Sequence, residues 1–253
     1  MKHFFTILGH EIRMLLVSPG TYLAAALFLA LMGFEFVGIL DRYSQAPQGV
    51  APASAFFHLF WLPVLFLVPL LTMKCLAEER RQGTLETLLT TPVTTAEVVL
   101  GKYGAAYALY IALWAATGVF FVILRHFAGT GLPYDPGPLE GGYLFIAISG
   151  LLFVAIGVLA SALVRSQAVA GIVAFTLLFG LIFGGGSLAD ASWIQSGALS
   201  SIRSVVDYGQ VFRHYEDFAR GVVDLRQVLF YLSGTVLVLI FSVLGVEAKL
   251  LHH

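Results

Sequence analysis

The sequence predicts an all-α membrane protein that crosses the bilayer about six times. Of its 253 residues, 58% are hydrophobic and only 11% are charged, whereas soluble domains carry about 25% charged residues. The mean hydropathy is +0.88. Apolar residues recur in blocks of roughly 18–25, the length that a helix needs to cross a hydrocarbon core about 30 Å thick. Because the blocks are evenly spread, we expect residues 1–253 to form a single membrane domain.

Residues 3–16 are predicted to form an amphipathic helix that lies in the membrane interface. Its polar residues recur at every third or fourth position and form one stripe, namely His3, Thr6, His10 and Arg13. The alternative is that this stretch is the frayed start of the first span. The first long apolar block is too long for a cleavable signal sequence, so we expect it to be a retained span.

Each apolar block is expected to be a helix, because lipid offers no hydrogen-bond partners to the backbone. The six predicted spans lie near residues 21–40, 55–75, 100–125, 142–164, 167–187 and 227–247. Pro63 and Pro69 are expected to bend the second span. The long connection at 188–226 mixes aromatic, acidic and arginine residues, which favours a partly folded external segment or one that dips back into the membrane.

The distribution of lysine and arginine predicts the orientation. An even number of spans places both termini on one side. That side contains eight cations, namely Lys2, Arg13, Lys74, Arg80, Arg81, Lys102, Arg165 and Lys249. The short loops of the other side contain only Arg42 and Arg125, and the arginines of the long connection count weakly. We therefore predict a multi-pass protein of the cytoplasmic (inner or plasma) membrane with both termini in the cytoplasm.

Composition and motifs argue against several function classes. The net charge of −1 does not fit a nucleic-acid binder. Cys75 is the one cysteine, and no Cys/His group has the spacing of a metal site. The only Gly-Lys pair, Gly101-Lys102, has Ala96 where a phosphate-binding P-loop needs its first glycine. We therefore expect no directly bound cofactor, no metal and no catalytic residue in this chain.

The loop after the second span contains the highest concentration of charge in the chain. Gly83 allows a break, and the hydroxyl of Thr84 can cap a new helix. The leucines that follow share one face at helical spacing, namely Leu85, Leu88 and Leu89. Pro92 ends this pattern. We predict a short cytoplasmic helix over 84–91 with one apolar face.

A helix of this kind has two interpretations. It can dock its apolar face into a groove on a soluble partner, or it can simply rest on the membrane surface. After it, Thr94 and Glu97 have the spacing of a capping box and are predicted to start the third span.

One ionisable residue, Glu35, lies within the first span. Such a residue usually faces a cavity or a partner, so Glu35 is a candidate for a transport pathway. The alternative is a carboxyl group that reaches the outer interface, because Asp41 and Arg42 follow within about two turns.

Residues 77–102 resemble the permease subunits of type-2 ABC exporters, and most of all the subfamily named after gliding-motility permeases. The core of the resemblance is Glu-Glu-Arg-Arg-x-Gly-Thr-Leu-Glu at 78–86, followed by Pro92-Val93 and by the run from Glu97 to Lys102. Further matching segments occur in the same order along nearly the whole chain, namely 11–13 with 18–19, 61–63 with Pro69, 141–143, 161–167 and 218–226.

The resemblance implies a transporter in which two permease subunits, identical or related, form the pathway through the membrane lipid. Two separate ATP-binding cassette ATPase subunits would bind ATP and Mg²⁺ beneath them. Residues 3–16 would be the connecting helix and 84–91 the coupling helix. The implied coupling surface is Glu78, Glu79, Gly83, Thr84, Leu85, Glu86, Leu88 and Leu89. An auxiliary extracytoplasmic subunit is left open as a further partner.

Two other functions compete with this one. A secondary transporter or channel without an ATPase would normally show more intramembrane charge, or broken helices at matching positions of two halves. An intramembrane enzyme would need a nucleophile with a base, or paired acids, inside the spans.

Overall fold

The computed structural model describes residues 2–45, 51–83, 93–127, 136–189 and 209–250, and every regular element within them is a helix. In chain order the helices are α1 (Lys2–Val17), α2 (Pro19–Gln45), α3 (Pro52–His58), α4 (Trp61–Thr72), α5 (Ala77–Gln82), α6 (Thr95–Ala116), α7 (Gly118–Phe127), α8 (Pro136–Leu163), α9 (Gln167–Ala189), α10 (Val211–Ala219) and α11 (Leu225–Leu250). The all-α class predicted from the sequence is confirmed.

Within the described residues, six helical segments are long and apolar enough to cross a membrane, as the sequence predicts. They are Pro19–Gln45, Trp61–Gln82, Thr95–His126, Pro136–Leu163, Gln167–Gly186 and Leu225–Ala248. Several of them extend past the predicted apolar block at both ends. The helical hydrogen-bond pattern continues into polar sequence, whereas hydropathy marks only the part that suits the hydrocarbon core.

The second span departs from the continuous bent helix predicted over 55–75. The chain breaks between α3 and α4 at Leu59 and Phe60. Pro63 explains the break, because its ring clashes with the carbonyl group of residue 59 and it has no N–H to donate. In the first turn of α4 the same proline costs little, since that N–H would have no helical acceptor. Pro69 lies inside α4.

Helix α8 is the central helix, packed against α4, α6, α9, α10 and α11. Two of its glycines allow neighbouring helices to come close. A methyl group at Gly150 would lie 2.3 Å from Tyr110 Cε1, and one at Gly157 would lie 2.3 Å from Thr72 Oγ1. Large exposed apolar side chains are found mainly on the peripheral helices, for example Phe34 and Ile172, which suits a surface surrounded by lipid.

The two ends of α8 contact different elements. Near its C-terminus, Ser161 binds the segment that leads into α5. Near its N-terminus, Gly141 lies against the backbone of α10, because a methyl group there would be 2.0 Å from the carbonyl oxygen of Phe218. Some 20 residues at 1.5 Å per residue separate these contacts by about 30 Å. We call the two regions the α5 end and the α10 end.

Of the long connection predicted at 188–226, the structure describes residues 188–189, which end α9, and the part from residue 209 onward. It contains α10, whose buried side chains are Val211, His214, Tyr215 and Phe218. Residues 190–208 lie outside the described residues.

Candidate functional site

The short helix α5 carries three of the predicted coupling residues, Glu78, Glu79 and Gly83, at or next to its ends. The other five, Thr84, Leu85, Glu86, Leu88 and Leu89, lie outside the described residues, as does the whole predicted helix over 84–91. The described part of the site is therefore the base from which this segment leaves the bundle.

A buried serine of α8 caps the start of α5. Ser161 Oγ accepts hydrogen bonds of 3.0 Å from the N–H groups of both Leu76 and Ala77. The same hydroxyl donates to the carbonyl oxygen of Met73 at 3.3 Å. The first N–H groups of a helix have no helical acceptor, and Leu76 at the N-cap has no side chain that could supply one. Ser161 therefore fixes α5 to the central helix.

Arg80 joins α5 to the ends of two spans. Its Nη1 donates to the carbonyl oxygen of Ala162 at 2.6 Å, and its Nη2 donates to that of Gly245 at 3.3 Å. Ala162 belongs to the last turn of α8, where carbonyl groups have no helical donor, so a guanidinium group is well suited to bind it. Arg80 thereby links α5 to α8 and α11.

A buried ion cluster connects α5 to α1 and α6. Lys102, in α6, is only 4% exposed. Its Nζ lies 2.6 Å from Glu11 Oε1 and 2.7 Å from Glu79 Oε1. A buried charge is tolerated only when it is paired, so the cluster holds three segments that are distant in sequence in one arrangement. We call Ser161, Arg80, Lys102, Glu11 and Glu79 the anchor cluster.

Helix α1 approaches α6 closely beside this cluster. A methyl group at Gly101 would lie 2.7 Å from Ile7 Cγ2, and one at Gly104 would lie 3.1 Å from Leu8 Cδ1. Glycine at these positions lets the two helices come near enough for Glu11 to reach Lys102.

Helix α5 also makes contacts that are separate from the anchor cluster. Glu78 pairs with Arg81 at 2.6 Å and accepts a hydrogen bond from Gln82. Gly83 then ends the helix in the left-handed conformation, with φ of 71°, which glycine adopts without strain. The two adjacent acids therefore differ in their partners, because Glu79 binds Lys102 whereas Glu78 binds Arg81 and Gln82 within α5.

The third span resumes after the undescribed segment with the predicted capping box. Thr94 Oγ1 accepts a hydrogen bond from the backbone N–H of Glu97, and the Glu97 carboxylate accepts one from the backbone N–H of Thr94. Both ends of the segment 84–92 are thus attached to fixed helix ends.

Glu35 is far from the anchor cluster. It is half-buried in α2, some 16 residues or about 24 Å from the start of that helix. Among the described residues its Oε2 has no hydrogen-bond partner. The structure does not bring Glu35 together with Glu78 or Glu79. Within the described ranges no three His, Cys, Asp or Glu side chains are placed to hold a metal ion.

Sequence reasoning missed Ser161, Arg80, Glu11 and Lys102 as members of the site. Lys102 offered a signal, because it lies inside the predicted third span at 100–125, where a charge normally has a function or a partner. Ser161 and Arg80 offered none, since their acceptors and donors are backbone groups of distant residues.

Comparison with known proteins agrees with this architecture. The family described as ABC-2 family transporter protein matches residues 5–246. The chain is also similar to two proteins named probable multidrug ABC transporter permease YbhR, from Escherichia coli strain K12 and Escherichia coli O157:H7, each 30% identical over 159 residues. The match covers 61% of this chain and 39% of each relative, so the chain spans about two fifths of the length of these curated relatives. Because the family match covers nearly the whole chain and extends into the sixth membrane-length helix, the chain belongs to the ABC-2 family of transporter proteins.

Proposed function

We propose that this chain is the transmembrane permease subunit of an ATP-binding cassette transporter and contributes to its translocation pathway. A separate ATPase subunit would supply ATP hydrolysis and bind ATP and Mg²⁺. Family membership and the six membrane-length helices support this function. The resemblance to gliding-motility-type permeases favours export.

The observation that carries the proposal is the fixed base of the segment 84–92. Ser161, Arg80 and Lys102 attach α5 to four other helices, α1, α6, α8 and α11. A partner that pushes on a loosely attached loop would displace only the loop. A push on this loop is passed to the spans, because its base moves only with them.

Under this proposal the two acids of α5 have different roles. Glu79 holds the base through Lys102. Glu78 pairs with the exposed Arg81, and both would border the ATPase contact. The contact itself would be made by Thr84, Leu85, Glu86, Leu88 and Leu89, with Gly83 as the turn between base and contact.

The cations near the α5 end support an orientation with this end in the cytoplasm. A methyl group at Gly20, in the first turn of the first span, would lie 3.3 Å from Lys74 Nζ, and Arg80 and Lys102 belong to the anchor cluster. We propose that α1 lies in the same interface as the connecting helix. Its exposed Phe5, Leu16 and Val17 would face acyl chains.

A second permease subunit, identical or related, completes the proposed pathway. Helix α9 offers a face for it, because a methyl group at Gly180 or Gly184 would meet no described residue within 4 Å. Small residues four apart allow close packing between membrane helices. We propose that Glu35, whose Oε2 has no hydrogen-bond partner among the described residues, faces the pathway.

Capture of the ATPase tests the proposal. The affinity-tagged chain, purified from its native membrane, should co-purify with a P-loop ATPase whose hydrolysis is measurable in the complex. The double change Glu78→Lys with Glu86→Lys should reduce this capture at least tenfold, since it reverses charge at the contact. Glu216→Lys, an exposed reversal in α10, is the matched control and should leave capture unchanged.

Two results would contradict the proposal. Equal capture of the ATPase by the charge-reversed and control variants would contradict the assignment of the coupling surface. Transport by the reconstituted chain without ATP and without any ATPase would favour a secondary transporter or channel.

A further inference from the structure

A cavity of about 660 Å³ opens at the α10 end, between the last turns of α2, helix α3 and helix α10. Its apolar side chains include Ile39, which is buried, and Leu59, which is half-buried. Its polar side chains Arg42, His58 and Arg220 are exposed. The cavity therefore has an apolar floor and a rim that carries positive charge.

The positive charge of this rim is poorly neutralised. Among the described residues that line the cavity, Glu216 is the one carboxylate, and it pairs with Arg220 at 3.8 Å while both side chains are largely exposed. An exposed ion pair of this kind is only weakly stabilising. In the part of the chain that the structure describes, no carboxylate pairs with Arg42, and the neighbouring Asp41 accepts a hydrogen bond from Gln45 instead. At least one guanidinium group is thus available to an anion.

The cavity wall is held in place by contacts that bind α10 to the bundle. Tyr215 donates to the carbonyl oxygen of Ser54 in α3 at 2.6 Å. Asp217 accepts from Gln227 Nε2 at 2.7 Å, which ties the same helix to α11. Burial raises the pKa of the Tyr215 phenol above its ordinary value, so the phenol keeps the proton that it donates. Arg220, in the turn after α10, is therefore presented from a rigid support.

The position of the cavity matches the level at which acyl chains meet head groups. Along α2 the exposed surface changes from apolar Phe34 and Val37 to charged Asp41 and Arg42 within about two turns. Arginine binds phosphate and carboxylate through two parallel hydrogen bonds. An apolar floor beneath such groups fits a molecule that has one anionic end and one hydrocarbon end.

We propose that this cavity binds an amphipathic anion, whose phosphate or carboxylate head contacts Arg42 and Arg220 and whose hydrocarbon part lies on Ile39 and Leu59. The site does not depend on the ATPase contact, which is at the other end of the bundle. The ligand has two sources of the same chemistry, an anionic membrane phospholipid or a single-chain amphiphile that enters from solution.

Native mass spectrometry of the chain in a neutral detergent tests the site. Phosphatidylglycerol should be retained at least tenfold more strongly than phosphatidylcholine with the same acyl chains. The double variant Arg42→Gln with Arg220→Gln should weaken phosphatidylglycerol binding about tenfold, the loss expected for one charge-assisted hydrogen bond. Arg213→Gln is the matched control, because Arg213 is exposed on α10, the helix that precedes Arg220, and does not line the cavity.

A second probe, dodecyl phosphate, separates the two sources. Displacement of phosphatidylglycerol by dodecyl phosphate supports one shared site, and binding of dodecyl phosphate alone assigns the site to a single-chain amphiphile. The double change Arg42→Lys with Arg220→Lys keeps both charges and should retain most of the binding. Equal retention of the two phospholipids together with no binding of dodecyl phosphate by the unaltered chain, or binding that is unchanged in the glutamine variant, would overturn the proposal.

Discussion

The ammonium group of Lys102 lies 2.7 Å from a carboxylate oxygen of Glu79, and this contact joins the third span to the helix that precedes the segment 84–92. Glu11 completes the cluster from α1 at 2.6 Å. One buried cation thus organises three elements that are far apart in sequence. The strength of the attachment between loop and spans depends on this residue.

Replacing Lys102 by methionine should destabilise the protein strongly. The change leaves two carboxylates without their cation, and removal of one partner from a buried ion pair costs about 3–5 kcal/mol. Glu11 and Glu79 are in part accessible to solvent, so we expect about 2–3 kcal/mol, the reduction being an allowance for that access. The measurement is the thermal unfolding midpoint in detergent.

Two further variants separate the charge effect from loss of packing. Lys74→Met, at an exposed lysine, should leave the midpoint unchanged. Adding Glu11→Gln and Glu79→Gln to Lys102→Met should recover most of the loss, because no unpaired charge remains. A triple variant as unstable as Lys102→Met would contradict the role assigned to charge.

The contact of α1 with α6 predicts opposite effects for two glycines. Gly101→Ala should destabilise by about 1–3 kcal/mol, because the new methyl group would lie 2.7 Å from Ile7 Cγ2 and the branched side chain has little room to move. Gly9→Ala, in α1, meets nothing within 4 Å and should stabilise by up to about 1 kcal/mol through helix propensity. Unfolding midpoints in detergent compare the two.

The partner residue offers a direct check of this clash. Ile7→Ala removes the atom that Gly101→Ala would meet, so the double variant should be more stable than the sum of the two single changes predicts. Strict additivity would show that α1 does not pack on α6 as described.

The spans could be predicted from the sequence because lipid imposes a length and a hydropathy on each of them. The break in the third span could not. The interruption between α6 and α7 lies at Thr117, whose hydroxyl binds the carbonyl oxygen of Trp114 at 2.6 Å and Tyr143 Oη at 2.9 Å. Tyr143 belongs to another span, and no local pattern around Thr117 encodes its position.

The candidate functional site could also be predicted only in part from the sequence. Glu78 and Glu79 are adjacent acids in a charged stretch, and the sequence analysis assigned both of them to the coupling surface. Their different partners follow from Lys102, which the sequence analysis counted only among the cations of the cytoplasmic side. The turn at Gly83 and the capping box at Thr94 depend on near neighbours alone, and both were predicted correctly.

Removing the hydroxyl of Ser161 should loosen the base of the loop. Ser161→Ala leaves the buried N–H groups of Leu76 and Ala77 without their acceptor, which costs about 1–3 kcal/mol. Ser149 is the matched control, because it is also buried in α8 but donates only to the carbonyl oxygen of Phe145 one turn before it. Ser149→Ala should change stability little. Hydrogen exchange at residues 76 and 77 should rise in the first variant alone, and equal exchange in both would contradict the capping role.

The phenol of Tyr215 predicts a dependence of stability on pH. Burial raises its pKa in the folded protein above the ordinary value near 10, so the folded state holds the proton more tightly than the unfolded state does. The resulting stability is complete below about pH 10 and is lost as pH rises toward the folded-state pKa. Tyr215→Phe should lower stability by about 1 kcal/mol at neutral pH, since the hydrogen bond to Ser54 is lost. The same change should remove the part of the loss of stability at high pH that ionisation of this phenol causes. Tyr22→Phe, at an exposed tyrosine, is the control. Unfolding midpoints between pH 7 and 11 that fall equally in all three proteins would exclude Tyr215 as the cause.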